Sequence, residues 1–175
     1  TRSALPRDLA IEYRLAGYRL CGALDRLDST LFESLATGAR QLDTAAAAQQ
    51  YARALALWRG GEAFAGVDSL RVDETRHALD ALRATVVIAL TDCEIALHRP
   101  QYSLSPIAAM FDVDTTRGDV AVRAAHLLAL AGRQADALRV VTRHRDALLA
   151  AGLMPSGEVT ELEGRILRHE LVGEP

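Results

Sequence analysis

The chain has 175 residues, half of them apolar, and a formal net charge of -3, which describes a soluble globular protein of one domain or one and a half and excludes a general electrostatic pull on phosphate backbones. All 20 basic residues are arginine, so Walker A loops, protein kinases and Schiff-base enzymes, each of which needs a lysine, are excluded. No run of about 18 apolar residues could span a bilayer, and the opening TRSALPRDLA lacks the apolar core of a signal peptide, so a cytoplasmic location is expected by elimination.

Residues 11 to 22, IEYRLAGYRLCG, alternate Ile11, Tyr13, Leu15 and then Tyr18, Leu20 around Ala16-Gly17, the period of two that marks a short hairpin. Everything after it reads as helix. Thr30 with Glu33 has the spacing of a capping box, followed by Leu31, Leu35, Ala39 and Leu42 on one face. Asp43 or Thr44 caps a second helix whose stripe is Ala47, Tyr51, Ala54, Leu55 and Trp58, stopped by Gly60-Gly61, and the two form an antiparallel pair. A long helix from about Val72 to Leu97 aligns Leu79, Leu82, Val86, Leu90, Cys93 and Leu97 before Pro100 ends it.

Ser105-Pro106 has the form of an N-cap and first helical residue, opening a short helix through Met110 and Phe111. The next helix, from about Asp119 to Ala131, carries Val120, Ala124, Leu127 and Ala131, and Gly132 closes it. RQADALRVVTRHRDALLAAG places Ala135, Leu138, Val141 and Leu148 on a buried stripe, with Gly152 and Pro155 as the stop signal. Ser156 starts a last helix carrying Val159, Leu162 and Ile166. The expected fold is all-α: a tetratricopeptide-like array of about seven antiparallel helices behind a short N-terminal β-hairpin, with a generic helical bundle as the alternative. Tyr51, Leu55, Trp58, Leu82, Val86, Leu127 and Leu138 are its expected core.

Chemistry-bearing motifs are few. His144, Arg145 and Asp146 copy three letters of a kinase catalytic loop, but Ala151 stands where a metal-binding asparagine would be, and both His144 and Asp146 are expected on the solvated face of their helix. His77, His98, His126 and His169 show no metal-pair spacing. Asp73-Glu74, Glu161 and Glu163 read as surface carboxylates, and Cys21 and Cys93 as reduced core or half-buried thiols. No catalytic residue, metal or cofactor is expected. Trp58, three positions after Leu55 and seven after Tyr51, is expected as a wedge between helices, with Trp58→Ala costing about 3–5 kcal/mol; a binding plate would have further aromatics nearby, and aromatics are only 5% of the chain.

GYRL at 17–20, ALALWRG at 54–60, AGRQADAL at 131–138, the Gly-Leu-x-Pro of 152–155 and RIL at 165–167 together resemble the bacterial transcriptional activator domain of SARP-type (antibiotic regulatory protein) regulators, over roughly residues 17 to 170. The resemblance implies a tetratricopeptide-like array that follows a winged-helix DNA-binding domain and contacts the transcription machinery, the adjacent domain or a second protomer. It implies that residues 1–21 are the C-terminal remnant of that winged helix, its recognition-helix tail and wing, with Arg2, Arg14 and Arg19 facing DNA phosphate, and that 22–172 are the activator domain. A hairpin that merely packs on the first helix is the alternative for that segment. The chain departs from the family pattern within 99–119, where Thr115-Thr116 stands in place of a proline before the next helix. The expected function is a non-catalytic activation and protein-interaction module; the alternative is a sensor or scaffold domain of a multidomain signalling protein that binds a protein or peptide.

Overall fold

The period-two opening and the Ala-rich periodic stripes become two kinds of structure in the computed structural model, which describes residues 9–15, 17–22, 27–67 and 69–171. β1 (Leu9–Arg14) and β2 (Gly17–Gly22) pair antiparallel, with Ile11 opposite Leu20 and Tyr13 opposite Tyr18. Then come α1 (Asp28–Ala39), α2 (Thr44–Leu55), α3 (Leu70–Ala96), α4 (Leu104–Val113), α5 (Gly118–Leu130), α6 (Gln134–Ala150) and α7 (Gly157–Leu167). Among the described residues this is an all-α array of seven helices, in line with the array of about seven that the periodicity predicts. No helix among the described residues is long and apolar enough to cross a membrane.

Helices α1, α2 and α3 share one core. Phe32 of α1, Tyr51 of α2 and Leu90 of α3 are its large members, and Ala36, Ala39, Ala47, Ala48 and Ala54 fill the α1–α2 crossing. A methyl group at each of these positions lets the helix axes approach closely, because interaxial distance follows side-chain size at the contact. Gly38 leaves room for a side chain instead: a Cβ there would lie 2.7 Å from the Gln50 amide nitrogen, which donates to the Leu35 carbonyl at 3.0 Å. A second core joins α5, α6 and α7 through Ala125, Ala137, Val141, Leu162 and Ile166. A third, built on Val87, Ile107, Phe111, Val120 and Leu127, lies where α3, α4 and α5 meet and makes the array continuous.

Two buried polar side chains fix the joints. Glu94, near the end of α3, accepts hydrogen bonds from the backbone of Tyr102 and Ser103 and from the Ser103 hydroxyl, and so sets where α4 begins. His144 corrects the sequence expectation: it is 1% exposed, not solvated, and its Nδ1 lies 2.7 Å from the Thr115 carbonyl in the α4–α5 turn. The physical reason is register, since Ala137, Val141, His144 and Leu148 form the buried face of α6, whereas Ala135 lies off that face and is exposed. Asp146 is exposed, as expected.

Helix ends follow local chemistry, with corrections. Asp43 caps α2 by accepting from the Ala46 N–H at 2.9 Å, and Ser156 caps α7. Thr30 and Glu33 form no capping box: α1 begins at Asp28 with Leu27 as N-cap, and Leu31 and Leu42 are exposed. The N-cap of α4 is Ser103 rather than Ser105, so Pro106 is its third residue. Gly132 and Gly152 terminate α5 and α6 at φ 73°, with the crossed pair of backbone bonds of a Schellman motif. His98 at φ 51° makes the same pattern at the end of α3, so the helix stops there before Pro100 is reached. After α4, Asp114 turns the chain by accepting from the Thr116 N–H and hydroxyl.

The His126 imidazole, on α5, is held below its usual 6.5, first by burial and then by Arg165 and His98. The unfolded chain therefore binds this proton more readily than the native one. Its contribution to stability is expected to be complete above 6.5 and lost as pH falls through the lowered native value. Urea denaturation at about pH 7.5 and about pH 5.5 should show a decline that His126→Gln reduces.

Candidate functional site: an aromatic cleft beside Trp58

Helix α2 ends at Leu55, five residues before the Gly60-Gly61 pair expected to stop it. Two tight turns follow, with the N–H groups of Leu57 and Trp58 donating to the carbonyls of Ala54 and Leu55 at 3.1 Å. Trp58 thus leaves the helix and is half-buried at the edge of the first core.

The loop from 60 to 67 is held by side chains of α3. Arg76 donates to the carbonyls of Ala63 at 3.0 Å, Phe64 at 3.3 Å and Val67, and its guanidinium also pairs with Asp73. Asp80 accepts from the Ala63 N–H at 3.2 Å, and Arg83 donates to the Gly61 carbonyl. Residues 76, 80 and 83 recur at helical spacing, so one face of α3 binds the whole loop.

The result is a cleft of about 460 Å³ between the start of α1, the loop and α3. Its apolar walls include Phe32, Leu57, Trp58, Phe64 and Leu79, and its rim carries Asp28, Arg59 and Glu62. Phe32 and Trp58 meet edge to face with centroids 5.4 Å apart, and the Arg83 guanidinium lies 4.6 Å from the Trp58 centroid. Phe64 has φ 53°, a left-handed conformation that is strained for a bulky side chain; the Val67 N–H and Arg76 hold its carbonyl.

The sequence expectation for Trp58 needs correction. It lies beyond the end of its helix, packed on the edge of the first core and forming a wall of this cleft, whose lining the only tryptophan shares with two of the three phenylalanines. Low aromatic content said nothing of how the few aromatics cluster. Because Trp58 is half-buried, Trp58→Ala is expected to cost about 1–3 kcal/mol, less than the 3–5 kcal/mol of a fully buried ring, as read by urea denaturation.

Of the other expected core residues, Tyr51, Val86 and Leu127 are buried, while Leu55, Leu82 and Leu138 are partly buried and packed against the cores. Of the arginines expected to face DNA, Arg14 is exposed and pairs with Glu12 at 3.1 Å; Arg2 and the side chain of Arg19 lie outside the described residues. The carboxylates of Asp73 and Glu163 are engaged, the latter by Arg145 across α6 and α7. Burial, and then the Asp92 and Glu94 carboxylates, push the half-buried Cys93 thiol up, as suits a packing residue rather than a nucleophile. Among the described residues no cluster of His, Cys, Asp and Glu is placed to hold a metal ion.

The residues that sequence reading missed are Arg76, Asp80 and Arg83. Their helical spacing opposite a Gly-containing loop was the available signal. Among known families, the bacterial transcriptional activator domain matches residues 27–167. No curated protein matches the chain.

Proposed function

Because this chain belongs to the family of bacterial transcriptional activator domains, we propose that it is the protein-interaction module of a SARP-type regulator, with no catalysis of its own. The family match across 27–167 carries the reading. Its partners in this reading are the transcription machinery or a second protomer, and residues 22–172 form the activating unit. The buried polar side chains support a non-catalytic role, because Glu94, Ser103 and His144 are each engaged in holding a helix junction.

In the same reading residues 1–21 belong to a winged helix, with β1 and β2 as its wing. Ile11, Tyr13 and Tyr18 are exposed, and Tyr13 and Tyr18 contact each other edge to face at 5.4 Å. A two-stranded hairpin is marginal by itself, so an apolar face of this kind favours a further neighbour. Arg14 and Arg19 would then approach phosphate within that larger domain.

Fusing the chain to an unrelated DNA-binding domain tests the reading. Transcription from the cognate operator should rise, and no activation above the DNA-binding domain alone would sink it. With its net charge of -3, the chain by itself should bind duplex DNA only weakly at physiological salt. The aromatic cleft favours a second reading, a sensor domain in a signalling protein, in which ligand occupancy and not the operator governs output.

A further inference from the structure

The cleft beside Trp58 has features that helix packing does not require. Its volume of about 460 Å³ lies within the range of small-molecule sites, roughly 300–1,000 Å³, and its lining is mainly apolar and aromatic with a few polar groups at the rim. A strained backbone at Phe64 is maintained by hydrogen bonds from α3, which keeps a half-exposed ring in the wall. At the rim, Asp28 and Glu62 have no ion-pair partner among the described residues, and neither does Arg59.

We propose that this cleft binds a small organic ammonium ion carrying an apolar ring. Aromatic faces attract cations through the ring quadrupole, and Arg83 already uses one face of Trp58 in this way. Asp28 and Glu62 at the rim and Asp80 behind the loop stand against Arg59 and Arg83, three carboxylates to two guanidinium groups, and this net negative charge complements a positive headgroup. Asp28 also accepts from the Ser29 N–H at 3.0 Å, so the start of α1 holds its carboxylate in place. The ring packs against Phe32, Phe64 and Leu79, while the loop that Arg76, Asp80 and Arg83 hold on α3 forms the outer wall and bounds the occupant to small-molecule size. Arg59 at the rim and Arg83 on one face of Trp58 are the charges that oppose this occupant, which therefore takes the part of the cleft that Arg83 leaves free, and the probes below weigh both directly. The inference does not depend on the transcriptional role: a failed activation assay would leave the binding intact, and a failed titration would leave activation intact.

Trp58 is the only tryptophan, so its indole N–H gives one isolated signal in a ¹H–¹⁵N spectrum. Three probes of similar shape are titrated: 2-phenylethylammonium, the neutral 2-phenylethanol and the anionic 3-phenylpropionate. The ammonium ion should shift the Trp58 signal saturably, with an affinity at least about fivefold above either of the others. The double variant Asp28→Asn, Glu62→Gln, at exposed positions, should bring the ammonium ion down to the affinity of the alcohol while the rest of the spectrum stays in place. Absence of a saturable shift up to about 10 mM, equal affinity for the three probes, tighter binding of the carboxylate, or an unchanged preference in the double variant would each overturn the proposal.

Discussion

Replacing Glu94 by alanine is expected to destabilise the protein by about 3–5 kcal/mol. The side chain is 2% exposed, and its carboxylate accepts from the Tyr102 N–H at 2.6 Å, the Ser103 N–H at 3.2 Å and the Ser103 hydroxyl at 2.7 Å. Ser103 is fully buried, so its two donors have no water to turn to once the carboxylate is gone. Each orphaned buried donor costs about 1–3 kcal/mol, and the missing side chain leaves a void as well. Ser103 is also the N-cap of α4, its carbonyl accepting from Ile107, so the damage should reach Ile107 and Phe111 in the core that joins the two halves of the array. Glu94→Gln keeps one acceptor oxygen and should lose about half as much. Urea denaturation measures both, and hydrogen exchange in α4 should rise first. A loss under about 1 kcal/mol for the alanine variant would mean that Ser103 finds other partners.

The second large effect is expected from Phe32→Ala, at about 3–5 kcal/mol. Phe32 is 2% exposed, shares its core with Ala36, Ala47, Ala48 and Tyr51, and meets Trp58 edge to face. Its alanine neighbours have no side-chain freedom with which to fill the space, and the helices bearing them are already closely packed. The void should therefore persist, which places the cost toward the upper end of the range. It would also merge with the cleft that Phe32 lines, so Trp58 emission should shift to the red while far-ultraviolet circular dichroism still reports the helices. Unchanged emission would mean that the first core closes over the deletion.

Much of the fold was legible because it is written in short-range periodicity. The stripes of α2 and α5, the Asp43 and Ser156 caps and the glycines at 132 and 152 each depend on residues within one or two turns. His144 was legible too, since it lies seven after Ala137 and three after Val141, and for a histidine that can bond a carbonyl this register outweighs the usual exposure of a polar side chain. The start of α1 was not: Asp28 and Thr30 both offer a cap oxygen, and the helix begins from Leu27, which offers none. The start of α4 was displaced because the Ser103 hydroxyl is given to Glu94, nine residues away on another helix.

Alone, the order of residues determined seven helices, their approximate ends and membership of an activator-domain family, because hydrophobic period, capping chemistry and motif spacing are all local properties of a chain. Tertiary structure alone decided that Phe32, Trp58 and Phe64 wall one cleft, that Arg76, Asp80 and Arg83 hold the loop beside it, and that Glu94 and His144 lock the joints. Those meetings join residues up to some thirty positions apart, and they come about only when packed helices exclude water and leave buried polar groups to find one another.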